Sequence, residues 1–194
     1  MRDYQLFSNG EDFYFLQNLA KYGTIGKVEG TTVYPSMRIS NRVPFGTGRK
    51  MGELADREDK AIPFYKPEIF RVVKDFISLL DARNTMDING NAAIDSCKNI
   101  DSSLHQYLES VQFAVNWDKI KTNSRDEKQF RKNLHVWFDA FKTLKLIHYL
   151  RDNGYGMEEM MFALGKLLSM LGMECDYLEE NPEEVLQLLR SKNI

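Results

Sequence analysis

The sequence predicts a mainly α protein of the α+β class, in which an N-terminal β-hairpin module packs on a bundle of four to five helices. Apolar residues recur at helical spacing from residue 67 onward, and residues 24–40 are rich in Thr, Val, Ile and Tyr. Hydrophobic residues make up 43% of the 194-residue chain. That length and composition suit one domain, or one domain with a small appendage.

Two regions follow from this pattern: a small α/β-hairpin module with a basic loop over residues 1–52, and a helical bundle over residues 53–194. The alternative is that both belong to one continuous domain. Within the module, residues 11–23 predict a short helix. Residues 24–40 then predict a hairpin, because Gly30 can supply the positive φ that a tight turn needs.

Five helices are predicted in the bundle. The first begins at residue 67, the second spans about 93–117, the third about 124–152 and the fourth 157–171, and the fifth begins at Asn181. An interruption of the second helix near Asn99 is left open. The third is the longest, roughly 40 Å at 1.5 Å per residue. Ser124 and Glu127 form the capping-box pattern that opens it, and Asn153–Gly154 offers its stop. The fourth is Met-rich and apolar nearly all round, which predicts burial in the core or by a partner.

Charge is distributed unevenly along the chain, although the formal net charge is −2. Residues 1–52 carry seven Lys and Arg against four Asp and Glu, and residues 111–151 carry nine against four. Residues 53–110 and 152–194 are acidic. Two basic segments separated by acidic ones raise the expectation of a polyanion contact, because local patches decide such association more than the total charge does.

Several classes of protein are disfavoured by what the sequence lacks. Its start shows no signal-peptide pattern, and no apolar run approaches the ~18 residues of a membrane span. Cys97 and Cys175 form neither a CxxC pair nor a disulfide framework. We therefore expect a soluble cytoplasmic protein with free thiols and no membrane partner.

The stretch RVPFGTGRKMG, residues 42–52, lies in a region predicted to be irregular, residues 40–66. Its glycines could form an anion nest with charge from Arg49 and Lys50, or the stretch could be a flexible connection. The spacing does not fit a phosphate-binding loop, because Met51 stands where a hydroxyl should follow the lysine, and it does not fit GxGxxG. No cofactor is expected.

The segment before this loop carries the first candidate nucleic-acid contacts. If residues 33–43 are extended, an aromatic ring and two guanidinium groups share one face while the opposite face is apolar. Guanidinium groups can bind phosphate bidentately, and a tyrosine can stack on a base. The alternative is an exposed strand face that arginine keeps soluble. With the loop, the candidates are Tyr34, Arg38, Arg42, Arg49 and Lys50.

The second candidate is a basic ridge along the longest predicted helix and the residues just before it. Its members are Lys121, Arg125, Lys128, Lys132, His135 and Lys142, with Lys119 and Arg131 close by. A ridge of this length could follow a nucleic-acid backbone. The alternatives are the solvated face of an amphipathic helix and a contact with an acidic patch inside a homodimer.

No motif predicts catalysis or metal binding. Each histidine has an aspartate four residues away, in the pairs Asp101–His105, His135–Asp139 and His148–Asp152. Without an HExxH pattern or clustered cysteines, ordinary helix-surface pairs are the favoured interpretation. An enzyme whose groups converge only in three dimensions, such as His135 with Asp139, is a third hypothesis.

The leading functional hypothesis is a non-catalytic intracellular binding protein that contacts a nucleic acid or a nucleoprotein through the basic hairpin and loop and the basic helix face. The alternative is a protein-interaction module, an inhibitor or adaptor of another macromolecule. It would use the Met-rich helix and the acidic C-terminal segment, because methionine surfaces adapt to partners. The simpler interpretation of the methionines is core filling.

Overall fold

A computed structural model describes residues 11–26, 28, 30, 31, 47–56, 63–173 and 187. The chain divides into two compact units, Met1–Ile62 and Pro63–Ile194. Most of the described residues are helical, and the sheet found among them has two short antiparallel strands. The predicted mainly α, α+β class is confirmed.

The first unit contains α1 (Glu11–Tyr22) and α2 (Thr47–Ala55) among its described residues. The predicted short helix is confirmed as α1, and Gly23 closes it by donating its N–H to the Leu19 carbonyl. Gly30 has the positive φ, 89°, that the predicted turn needs. Residues 32–46 lie outside the described part of the chain, so the hairpin stays a prediction.

The prediction of an irregular chain over residues 40–66 is wrong for α2. The helix runs through both glycines of the TGRKMG segment and ends with a bond from the Asp56 N–H to the Gly52 carbonyl, 3.0 Å. Lys, Met, Glu, Leu and Ala are strong helix formers, and together they outweigh the cost of about 1 kcal/mol that each glycine carries.

The second unit begins with a strand that the sequence did not predict. Strand β1 (Pro63–Tyr65) pairs antiparallel with β2 (Met157–Glu159), with Tyr65 opposite Met157. Helix α3 (Pro67–Leu80) follows immediately and has proline in its first turn, as predicted. Three-residue strands are too short to show the alternation by which a strand is recognised.

The rest of the second unit is helical, with α3 followed by six shorter α-helices in its described residues. They are α4 (Gly90–Lys98), α5 (Ser102–Ser110), α6 (Phe113–Thr122), α7 (Glu127–Trp137), α8 (Ala140–Leu150) and α9 (Met160–Met170). A 3₁₀ turn (Thr85–Asp87) precedes α4, and a π turn (Arg151–Tyr155) follows α8. The number of α-helices among the described residues of this unit exceeds the four to five predicted, because two of the predicted helices are divided.

The helix predicted over about 93–117 is divided twice. The interruption near Asn99 is confirmed, because Asp101 caps α5 by accepting the N–H groups of Ser103 and Leu104 at 2.8 and 2.9 Å. A second division lies at Gln112, whose φ of 55° is left-handed and ends α5 before α6 begins. A short polar side chain that binds nearby backbone N–H groups competes with the helix interior.

The single helix predicted over about 124–152 does not exist. Phe138 leaves the helical conformation, and Asp139 caps α8 by accepting the Lys142 N–H at 3.1 Å. With the chain broken there, Phe138 packs edge-on against Phe76, 4.8 Å between ring centroids, and α8 directs Leu146 into the same core. The roughly 40 Å rod is therefore two helices of 11 residues each.

The predicted cap of this helix is also wrong. Asp126, rather than Ser124, caps α7, and its carboxylate accepts the Gln129 N–H at 2.7 Å. The Ser124 hydroxyl donates instead to the Ile120 carbonyl at the end of α6, 2.8 Å away. The predicted stop at Asn153–Gly154 is confirmed, because the chain leaves the helical conformation at those two residues.

The core of the second unit is built from aromatic rings on α3, α6 and α7. Phe76 and Phe113 meet edge-on at 5.7 Å, and Trp117 and Phe130 meet at 5.0 Å. Cys97 is buried here as a free thiol, and burial raises its pKa to about 12. This core fixes α6 and α7, the helices that carry most of the predicted basic ridge.

Candidate nucleic-acid interface

The basic residues predicted in the first unit receive little structural description. Tyr34, Arg38 and Arg42 lie outside the described residues. Arg49 and Lys50 lie within α2, so the predicted nest-forming loop is not present at their positions. A nest requires successive residues in alternating right- and left-handed conformations, whereas Arg49 and Lys50 both belong to a right-handed helix.

Two lysines on α7 are exposed members of the predicted ridge. Lys128 and Lys132 are exposed and lie one helical turn apart, so their side chains are neighbours. Neither makes an ion pair within the described part of the chain. We call them the α7 lysine pair. Arg125, just before the helix, is also exposed but lies 3.1 Å from the Asp126 carboxylate.

Three other members of the predicted ridge are engaged in holding helices together. Lys121 donates through Nζ to the Ile88 carbonyl at 3.1 Å. His135 places Nε2 2.7 Å from Asp81 Oδ1, and Arg131 donates to the Asp81 carbonyl at 3.4 Å. These contacts join α6 and α7 to the segments before and after the 3₁₀ turn. Such side chains are less available to a ligand than the α7 lysine pair.

Lys142 is separated from the ridge by the break between α7 and α8. Its Nζ lies 4.9 Å from the centroid of the Trp137 ring, in a cation–π contact. The exposed cations of α7 and the cation at position 142 therefore belong to different helices. The basic residues predicted over 121–142 are therefore divided between separate helices rather than carried by one.

Glu127 fastens the first turn of α7 to the 3₁₀ turn. Its Oε1 accepts the Thr85 hydroxyl at 2.7 Å and the Thr85 N–H at 3.2 Å, while Oε2 accepts the Met86 N–H at 3.2 Å. The hydrogen bond from the Thr85 hydroxyl is the main reason that the pKa of Glu127 lies below its ordinary value. The capping-box pattern assigned this carboxylate to its own helix, but its partners lie about forty residues away in sequence.

We expect Glu127→Gln to lower the free energy of unfolding by about 1–2 kcal/mol at neutral pH, because an amide replaces a carboxylate that accepts three hydrogen bonds. The pKa of Glu127 is depressed in the folded state, so its contribution is complete above the ordinary value near 4.5 and is lost as pH falls through the folded value. The difference between wild type and variant should therefore be smaller at an acid pH below 4.5 than at neutral pH in urea titrations.

Glu109→Gln is the matched control for this experiment. Glu109 is exposed, and it lies 3.5 Å from His105 Nδ1 on the same helix. Its substitution should change the free energy of unfolding by less than about 1 kcal/mol, as is usual for surface pairs. A Glu127→Gln deficit of the same size at both pH values would contradict the assigned role of the carboxylate.

Helix α9 is not buried on all sides. Ala163 and Leu168 face the interior, whereas Phe162 is 60% exposed and Met170 is 46% exposed. Lys166 lies between these two, with Nζ 2.8 Å from Glu158 and 4.6 Å from the Phe162 ring centroid. Core filling therefore accounts for one side of the Met-rich helix only. The outer side, defined by Phe162, Lys166 and Met170, is the α9 outer face.

Sequence reasoning missed a cluster of rings around Tyr65 on β1. His148 from α8 stacks on Tyr65 with 6.1 Å between centroids, and the Arg151 guanidinium lies 5.9 Å from the Tyr65 centroid. Asp152 binds Arg151 through two hydrogen bonds of 2.6 and 2.8 Å, which lowers the pKa of Asp152. β1 and α8 are far apart in sequence, so no local pattern could have joined them.

Two of the three histidines contact carboxylates other than those that their spacing suggested, while His148 interacts electrostatically with Asp152 as its spacing suggested. His135 contacts Asp81 rather than Asp139, and His105 contacts Glu109. Asp101 caps α5 and accepts the Tyr155 hydroxyl at 2.8 Å. Within the residues that the structure describes, no three His, Cys, Asp or Glu side chains come together as a metal site would require.

Comparison with known proteins found no match to a family model, to a curated protein or to a solved structure. None of the helices in the described ranges has the length and apolar composition that crossing a bilayer requires.

Proposed function

We propose that this protein is a non-catalytic binding protein that contacts the phosphate backbone of a nucleic acid, free or within a nucleoprotein, through the α7 lysine pair. The observation that supports the proposal is the exposure of Lys128 and Lys132 on one helix side without an ion pair among the described residues. A lysine already held by a carboxylate would have to give up that partner on binding. These two lysines have no such partner to lose among the described residues, and their contact with phosphate groups releases the counterions of the nucleic acid.

The helix that carries the pair is held firmly. Phe130 and Leu134 are buried on its inner side, the Glu127 carboxylate fixes its first turn, and the contacts of Asp81 with Arg131 and His135 fix its later turns. Because the helix is already rigid, binding costs little further conformational entropy. Phosphate contacts of this kind position a protein without reading sequence.

We expect the double variant Lys128→Gln/Lys132→Gln to bind DNA or RNA at least about tenfold more weakly at low salt, a loss of about 1.4 kcal/mol. Both side chains are exposed, so the variant should fold normally. Fluorescence anisotropy with labelled oligonucleotides measures the affinity. Lys98→Gln, on the exposed side of α4, is the control for loss of charge and should leave the affinity within about twofold of wild type.

We propose as the second candidate a protein-interaction module, an inhibitor or adaptor, that uses the α9 outer face. Its support is the exposure of Phe162 and Met170 eight residues apart on one helix side. Helices commonly dock into grooves through apolar anchors at such spacings. Of the acidic C-terminal segment that this hypothesis also invoked, the part beyond Met173 lies outside the described residues, apart from Gln187.

We expect Phe162→Ser/Met170→Ser to leave the free energy of unfolding within about 1 kcal/mol of wild type, because both side chains are exposed on the outer side of the helix. Leu168→Ala, on the buried side of the same helix, should cost about 2–5 kcal/mol. Urea unfolding compares the two. Equal losses would contradict an open α9 outer face.

Photo-crosslinking tests the partner directly. A photoreactive phenylalanine analogue at position 162 should cross-link a partner protein, whereas the same analogue at Val115, which is 65% exposed on α6, should not. Cross-linking of the same proteins from both positions would argue against a specific role for α9.

A further inference from the structure

Rings and cations alternate along the outer side of α8 and continue onto β1 and the first turn of α3. The set consists of Phe141, Lys145, His148, Arg151, Tyr65 and Phe70, and we call it the aromatic–cationic stripe. We propose that this stripe binds the bases and phosphates of a single-stranded nucleic acid. The inference rests on the proposed function and adds to it the class of nucleic acid and a second contact surface.

The α8 part of the stripe lies on one side of the helix. Phe141, Lys145 and His148 are spaced by four and three residues, so their side chains are successive neighbours. Lys145 Nζ lies 4.5 Å from the Phe141 ring centroid. The buried side of the helix carries Leu146 and Leu150. Lys145 is exposed and makes no ion pair with any described residue, so its charge is available to a phosphate.

The stripe continues through Tyr65, where three elements meet. His148 stacks nearly parallel to Tyr65, at 19° between ring planes, and Arg151 lies 5.9 Å from the Tyr65 centroid. Asp152 holds the Arg151 guanidinium in place through two hydrogen bonds. Because that pair neutralises itself, Arg151 contributes a fixed planar surface and hydrogen-bond donors rather than net charge.

Phe70 is the ring best placed to receive a base. It meets Tyr65 nearly at right angles, 88°, with 6.3 Å between centroids, so Tyr65 does not stack on it. Its side chain is 42% exposed although it is a large apolar ring. Stacking of a base on an exposed aromatic ring strengthens binding with little preference for sequence.

A combination of rings and cations favours a single strand over a duplex. Duplex bases are already stacked on one another and cannot reach a protein ring, whereas unpaired bases can stack on it. The α7 lysine pair contains no ring and can contact the phosphates of either form. The two surfaces therefore predict different responses to substitution.

The test compares three ligands of about 16 nucleotides by fluorescence anisotropy at low salt: oligothymidylate, oligouridylate and a DNA duplex. We expect both single strands to bind the wild-type protein more tightly than the duplex does. Phe70→Leu should weaken single-strand binding by about fivefold or more and leave duplex binding nearly unchanged. Lys145→Gln should weaken binding of the single strands and lower the magnitude of the slope of log K against log salt by about 0.7.

Phe162→Leu is the matched control, because Phe162 is an exposed ring with a lysine 4.6 Å away but lies outside the stripe. It should leave single-strand affinity unchanged. Equal effects of Phe70→Leu and Phe162→Leu, or a duplex bound as tightly as the single strands, would overturn the stripe while leaving the proposed function standing. Absence of binding to all three ligands would overturn both. Lys145→Gln keeps the test decisive if Phe70→Leu lowers stability.

Discussion

Gly90→Ala should destabilise the second unit by about 3 kcal/mol or more. A Cβ atom at this position would lie 2.1 Å from the carbonyl oxygen of Ala114 and 2.7 Å from its Cα. These are backbone atoms of α6 and cannot rotate away as a side chain could. The Gly90 N–H also donates to Asp118 Oδ1 at 2.8 Å, so a shift of α4 away from α6 would break a hydrogen bond to a carboxylate.

A loss of stability in Gly90→Ala would itself indicate the close approach of α4 to α6. Alanine is a better helix former than glycine by about 1 kcal/mol, so without the close approach the substitution would stabilise α4. Gly23→Ala is the control, because nothing lies within 4 Å of the Cβ that it would introduce. Its free energy of unfolding should stay within about 1 kcal/mol of wild type. Urea titrations in which both variants behave alike would show that α4 and α6 do not touch here.

Trp117→Ala should cost about 3–5 kcal/mol, the range for removing a large buried aromatic residue. Trp117 has no exposed surface, and its ring lies 5.5 Å from Phe113 and 5.0 Å from Phe130 between centroids. Its Nε1–H also donates to the Ile88 carbonyl at 3.3 Å. Because Trp117 joins α6 to the inner side of α7, its loss should also loosen the helix that carries the lysine pair.

Trp117→Phe separates packing from hydrogen bonding at this position. Phenylalanine keeps most of the ring contacts, and Lys121 Nζ still donates to the Ile88 carbonyl at 3.1 Å. We therefore expect Trp117→Phe to lose less than half as much stability as Trp117→Ala in thermal and urea unfolding. Equal losses for the two variants would contradict an account based on packing.

Local patterns predicted the class of the fold and several helix ends. Pro67 marked the start of α3, and helical spacing of apolar residues fits its buried side except at Phe70, which is 42% exposed. The interruption near Asn99 was left open by the sequence, but the break at Phe138 escaped because it depends on tertiary contacts. Apolar periodicity continues through Phe138, yet the chain turns there so that Phe138 packs on Phe76 and Asp139 caps the next helix.

The candidate site also has a part that local spacing predicts and a part that depends on tertiary contacts. Helical spacing identified Lys128 and Lys132, since exposure on a helix follows from the position of the apolar side. It could not show that Lys121 binds the Ile88 carbonyl or that His135 binds Asp81, because these partners are 33 and 54 residues away in sequence. The aromatic–cationic stripe escaped for the same reason, since its rings come from three separate elements.

The salt dependence of binding tests the central proposal most directly. Log K for a labelled oligonucleotide should fall linearly with log salt for the wild-type protein, because phosphate contacts release counterions. Lys128→Gln/Lys132→Gln should reduce the magnitude of that slope by roughly 1.4 to 1.8, as expected for two lost contacts, while Lys98→Gln should not change it. An unchanged slope in the double variant, or no binding by the wild-type protein at low salt, would contradict a role for the α7 lysine pair in nucleic-acid binding.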